Sequence, residues 1–190
     1  MTVRIAIVFA SSGGNTLETA RMAALGATEA GAVTALYSAR DFSADILTEH
    51  DGLLIGEPTW GQGDHHADFR PFDDSMAQLL APARRLHGKG AAAFAGCDRA
   101  YRNFGRAIEL IEKRLAECGA EILQRGLMIE LRHNPASREF TQQWGRNFVA
   151  RLRGELAPEA HEPRMGRAEV DRVMGISLAE RESRELGGLR

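Results

Sequence analysis

Ser11-Ser12-Gly13-Gly14-Asn15-Thr16 places four uncharged hydrogen-bonding side chains and two glycines in six residues. Hydroxyls and backbone N–H groups in such a turn can converge on an anion. The turn has no lysine, so it does not match the GxxxxGK[ST] loop of nucleoside triphosphate enzymes. The chemistry indicated is one phosphate of modest charge held by neutral donors. An ordinary tight βα turn uses the same residues, and the motif alone leaves both readings open. Two further polar loops each offer one large aromatic, Trp60 within residues 57–66 and Tyr101 within residues 97–103. Two aromatics beside a phosphate cradle suit a flat ring on a phosphorylated chain. Either one alone also serves as a half-exposed packing residue. No general acid or nucleophile stands out, so no catalytic residue is assigned. His65–His66, with no thiolate or carboxylate ligand evident nearby, is expected to be a solvated loop rather than a metal site. Cys97 is expected to be a small buried hydrophobe.

The elements that must position these loops are legible in the pattern. Residues 3–9 are β-branched and aromatic and too short for a helix, hence a buried strand. An Ala-rich helix follows over 17–30. Short strands are expected at 32–37, 51–56 and 90–96, and a fifth over 122–123 and 127–131, broken near Gly126. Helices are expected over 67–81, with Phe69, Phe72, Met76 and Leu79–Leu80 inward, and around Ala107, Ile108, Ile111, Leu115 and Cys118, stopped by Gly119. Asn134-Pro135 reads as the N-cap and first-turn proline of a last helix through Leu152. Strands alternating with helices imply an α/β, doubly wound sheet of five parallel strands with helices on both faces. Ligands in such sheets sit outside the carboxyl ends of the strands. The loops after strands one, three and four are therefore neighbours in space.

The 190 residues have room for a full core, and 44% are apolar. No apolar run is long enough for a membrane span, and the N-terminus enters the first strand without a secretory leader. Two cysteines give neither a disulfide framework nor a metal spacing, which suits a cytoplasmic protein. A net charge of −2 argues for neither nucleic acid nor a membrane surface.

The three loops together resemble the flavodoxins, small FMN-dependent electron carriers. Residues 11–16 resemble the family's S/T-x-T-G-N-T phosphate loop. Pro58-Thr59-Trp60-Gly61-Gln62-Gly63 resembles its loop on one flavin face, and residues 96–104 resemble its G-D-x-x-Y-x-x-F loop on the other. The resemblance spans about residues 3–152 and is closest to the short-chain type. It implies FMN as cofactor, with Ser11, Ser12, Gly13, Gly14, Asn15 and Thr16 around the phosphate. It implies Trp60 and Tyr101 on the two ring faces. It places Pro58, Thr59, Gly61, Gln62, Gly63, Cys97, Asp98, Asn103, Phe104 and Gly105 around the ring and its pyrimidine edge. It also implies low-potential one-electron transfer between a flavodoxin reductase-type donor and an acceptor enzyme. An FMN-dependent quinone reductase and a flavodoxin-like regulatory or stress module are the alternatives.

Three positions depart from the family pattern: Gly13 replaces a threonine, Cys97 a glycine and Gly105 a frequent cysteine. The charge departs too. Residues 1–154 hold as many Lys and Arg as Asp and Glu, and Arg99, Arg102 and Arg106 crowd the third loop. Residues 1–154 read as the FMN-binding domain and 155–190 as an extension. Pro158 and Pro163 suggest a linker, Val170, Val173 and Met174 a short apolar stripe, and Ser177 with Glu180 a capping box, with Gly187-Gly188 as a stop. The extension reads either as a frayed appendage or as an arm that covers the surface or forms a dimer. It is expected to be dispensable for flavin binding.

Overall fold

The computed structural model describes residues 2–61, 63–159, 165–177 and 179–180. Gln62, Pro163 and Gly187-Gly188 lie outside the described residues. The strands are β1 (Arg4–Phe9), β2 (Val33–Ser38), β3 (Gly52–Pro58), β4 (Gly90–Cys97), β5 (Glu121–Ile122) and β6 (Leu127–Glu130). The helices are α1 (Asn15–Glu29), α2 (Arg70–Ser75), α3 (Arg106–Glu117), α4 (Pro135–Leu152) and α5 (Arg167–Val173). All ladders are parallel, in the order β2-β1-β3-β4 with β5 and β6 sharing the last position beside β4.

The sheet therefore has five positions, and the expected broken fifth strand is two short strands. Between them Gln124 and Arg125 leave the ladder for α4. The Gln124 side chain donates to the Trp144 carbonyl at 2.9 Å, and the Trp144 indole donates to the Arg125 carbonyl at 3.0 Å. Gly126 closes the break, where a Cβ would stand 2.5 Å from Ile108.

The centre of the sheet is apolar because it is covered on both faces. Ile5, Ile7, Leu53, Leu54, Ile55 and Phe94 are fully buried. α1 and α4 pack so closely that a Cβ on Gly26 would meet the Gln142 carbonyl at 1.9 Å, and one on Gly145 the Ala23 carbonyl at 2.3 Å. α4 starts in a capping box: Ser137 N–H donates to Asn134 Oδ1, and Asn134 N–H donates to Ser137 Oγ, both at 2.9 Å.

The helix expected over 67–81 is shorter and irregular. α2 spans Arg70–Ser75 and continues as one π-helical turn over Met76–Leu80. The wider turn rotates Leu79 out of the core, leaving it 47% exposed, while Leu80 stays buried. The extension is not frayed where described. Val170, Val173 and Met174 are buried, Asn134 Nδ2 donates to the Met174 carbonyl at 2.7 Å, and Glu159 N–H donates to the Leu123 carbonyl at 3.0 Å. Ser177 and Glu180 bond reciprocally, as a capping box requires.

Candidate functional site

β1, β3 and β4 end side by side, and their three loops meet there. The first loop leaves β1 with Ala10 N–H on the Gly56 carbonyl at 3.0 Å. Gly14 N–H donates to Ser11 Oγ at 3.1 Å and closes the turn. Gly14 takes φ +85°, a left-handed conformation open to glycine, and opens α1 with no side-chain cap. The first N–H groups of α1 thus have no acceptor within the helix. Among the described residues, a Cβ on Gly13 or Gly14 would meet nothing within 4 Å, so they leave the space above the turn open. Thr16 is buried, and its hydroxyl would stand 3.3 Å from a Cβ on Gly96, which seats the turn against β4.

The second loop is tied to β4 by Thr59 N–H on the Gly96 carbonyl at 2.8 Å. Gly63 N–H returns to the Trp60 carbonyl at 2.9 Å, and Gly61 and Gly63 both take positive φ. This turn leaves Trp60 54% exposed. Thr59 Oγ1 is buried and has no hydrogen-bond partner among the described residues. A Cβ on Gly63 would meet Arg106 at 2.5 Å and Asn103 at 3.0 Å, so the second and third loops abut. In the third loop Asp98 folds an Asx turn, its Oδ1 accepting from Ala100 N–H at 2.9 Å and its carbonyl from Tyr101 N–H at 3.1 Å. Tyr101 is 42% exposed, Phe104 is buried, and Gly105 at φ +74° opens α3. The described residues of all three sequence motifs are therefore together at one end of the sheet.

Two expectations are corrected. His65–His66 is not a solvated loop. Glu57, wholly buried at the end of β3, accepts from His65 Nδ1 at 2.6 Å and from His66 N–H at 2.7 Å. Burial pushes the Glu57 carboxyl above its ordinary value, although both histidines oppose that shift. Burial lowers His65, but the Glu57 hydrogen bond and charge, with Asp73, leave it raised. His66 is buried as well. Its Nε2 shares a 2.5 Å hydrogen bond with Ser12 Oγ, and its ring stands edge-on to Trp60 at 5.3 Å. His66 thus joins the first loop to the second. A carboxylate at the end of a buried strand was the signal for this network, because it must find a partner. Among the described residues no cluster of three ligands suited to a metal occurs.

Arg99 is not a free cation either. It is locked between Glu130 and Asp171. Cys97 is the buried thiol expected. Burial first, and then Glu130, push its pKa upward, so it stays protonated.

Residues 7–144 match the Flavodoxin family profile. The chain belongs to the flavodoxin family. It is 30% identical over 149 residues to the probable flavodoxin 2 of Bacillus subtilis, covering 77% of this chain and 94% of that one. The flavodoxin of Nitratidesulfovibrio vulgaris is 34% identical over 130 residues, 66% of this chain and 84% of the relative. The crystal structure of oxidised flavodoxin 1 from Bacillus cereus superposes with a TM-score of 0.71 at 33% identity, covering 81% of this chain and 99% of that one. The flavodoxin described here is accordingly an FMN-binding electron-transfer protein that works with redox partners. Its residues suit the cofactor on their own chemistry. The open, uncapped α1 terminus offers only neutral donors to a phosphate, and Thr59 Oγ1 is a buried polar atom with no partner among the described residues. None of its described helices is long and apolar enough to cross a membrane.

Proposed function

We propose that this flavodoxin holds FMN with its phosphate on the α1 terminus and its ring between Trp60 and Tyr101, and acts as a cytoplasmic low-potential one-electron carrier. FMN supplies the electron chemistry when bound. Ser11, Ser12, Asn15 and Thr16, with the first N–H groups of α1, receive the phosphate. Backbone groups around Thr59–Gly61, Cys97–Asp98 and Asn103–Gly105 receive the pyrimidine edge, with Pro58, Gln62, Gly63 and Phe104 shaping its surroundings. His66 keeps Ser12 and Trp60 in register. The donor is a reductase and the acceptor an enzyme that takes one electron at a time. The apolar stripe of α5 is buried within the chain, which favours a monomeric carrier over a dimer built on that stripe.

The observation that carries this reading is the α1 terminus: Gly14 left-handed, no side-chain cap, open space above, and no lysine. Such a terminus accepts one terminal phosphate. Titration of flavin-free protein tests it. FMN should bind much more tightly than FAD. Thr16→Ala should weaken FMN by about tenfold or more, since a hydrogen bond to a charged group is worth roughly 1.5–3 kcal/mol, and should leave riboflavin nearly unchanged. Equal losses for both ligands would place the phosphate elsewhere.

A further inference from the structure

The third loop is gripped from outside by α5 on either side of Tyr101. Before Tyr101, Arg99 donates Nε to Glu130 Oε1 and Nη2 to Glu130 Oε2, each at 2.5 Å. The same Nη2 donates to Asp171 Oδ1 at 2.5 Å. Glu130 ends β6 and Asp171 lies on α5, and they are only 5% and 4% exposed. After Tyr101, the Arg167 guanidinium stands over the ring of buried Phe104, 5.7 Å from its centroid. Arg167 Nη2 also donates to the Arg99 carbonyl at 3.2 Å. α5 is itself firmly seated. Met165, Val170, Val173 and Met174 are buried, and Glu169 pairs with Arg125.

The fork of Arg99 on Glu130 of β6 fixes direction as well as distance, and Asp171 of α5 adds a third charge-assisted bond to the same guanidinium. A cation over a ring adds to it where the ring is shielded from water. Within 98–101 the Asp98 turn supplies two bonds, one accepted by the Asp98 side chain and one by its carbonyl. Without the outer grip, residues 99–104 would sample arrangements in which Tyr101 does not face a ring held by Trp60.

We propose that α5 is a positioning element of the flavin site. Asp171 and Arg167 hold residues 98–105 in the conformation that presents Tyr101, so residues beyond Gly154 set flavin affinity without touching the flavin. This rests on the FMN placement proposed above. Apparent affinity falls in proportion to the fraction of molecules whose site is competent. Asp171→Asn keeps the shape and removes the charge that Arg99 needs. Arg167→Gln removes the contact over Phe104 from an exposed position.

The test uses the full chain, freed of flavin, with FMN and riboflavin each titrated by fluorescence and thermal melting followed in parallel. Asp171→Asn and Arg167→Gln should each weaken FMN and riboflavin alike, by about tenfold if the competent fraction drops to a tenth. Asp171→Glu should restore part of the loss. Thr16→Ala, run beside them, should weaken FMN alone. Wild-type affinity for both ligands in Asp171→Asn and Arg167→Gln would overturn the proposal. So would a lowered melting temperature with riboflavin affinity unchanged, which marks a merely structural α5, or a loss confined to FMN. If Asp171→Asn does not fold, Arg167→Gln decides alone by the same criteria. Failure of the wild-type chain to bind either flavin would overturn the site placement itself.

Discussion

His65 sits between two carboxylates, with Nδ1 2.6 Å from Glu57 and Nε2 3.6 Å from Asp73. Asp73 is in turn held by both Arg114 Nε and Nη2 at 2.9 Å. The chain of charges runs from the Trp60 loop through α2 to α3. Glu57 and His65 are both raised in the folded protein, Glu57 by burial and His65 by Glu57 against the pull of burial. A raised group holds its proton longer folded than unfolded, so its contribution is lost as pH rises through the folded pKa. For His65 that contribution is complete below about pH 6.5 and fades above it. Urea unfolding should therefore show stability falling from pH 6 to pH 9. His65→Gln should flatten that slope and cost about 3 kcal/mol at pH 6, the usual penalty for orphaning one member of a buried pair. An unchanged slope would remove His65 from the account. This network was legible only in part: Glu57, a carboxylate ending a buried strand, signals that it needs a partner, but the pattern does not say that the partner is His65, eight residues on in the following loop. The convergence of the three loops at the strand ends was legible because each loop is contiguous and follows a recognisable strand. The pairing of Arg99 was not legible, because its partners lie 31 and 72 residues away.

Helix packing yields two expectations at the level of elements. Gly26 faces the Gln142 carbonyl with no room for a methyl group, and the three nearest atoms are all Gln142 backbone. Gly26→Ala should force α1 and α4 apart and destabilise the fold by about 2 kcal/mol or more, despite the better helix propensity of alanine. A midpoint shift in urea with an unchanged slope would report it. On α3, burial and then the charge of Glu109 push half-buried Glu112 up to about 7. Its carboxylate costs stability as pH rises from about 4.5 through 7, since the folded state keeps the proton longer. Glu112→Gln should stabilise the protein at pH 8 by about 1 kcal/mol, a figure reduced for solvent screening. It should have little effect at pH 4. Strand order and helix positions were readable because buried parallel strands are short apolar runs and helix stops are marked by glycine. The π turn after Ser75 was not readable, since its residues also satisfy an ordinary helical pattern and only the exposed Leu79 betrays the shift.

Over the whole molecule, residues 1–154 of this flavodoxin carry balanced charge, so they set up no net acidic field. Arg99 adds nothing net positive, because two carboxylates face it. Arg102 and Arg106 are the loop's exposed cations, where solvent screens them.

The bond from Glu159 N–H to the Leu123 carbonyl has a bearing on solubility. β5 and β6 lie at the open margin of the sheet, and a strand there offers unpaired amides to any passing chain. Glu159 occupies that margin at the break: its amide takes the Leu123 carbonyl, its Oε2 accepts from Arg125 N–H at 2.8 Å, and Arg151 clasps Oε1 at 2.6 Å. The extension thereby works as a selvedge that keeps the weave from catching on a neighbour. A chain ending at Gly154 should associate with itself in a concentration-dependent way by sedimentation, while the full chain stays monomeric over the same range. A truncated chain that remains monomeric would show that the margin is harmless when bare.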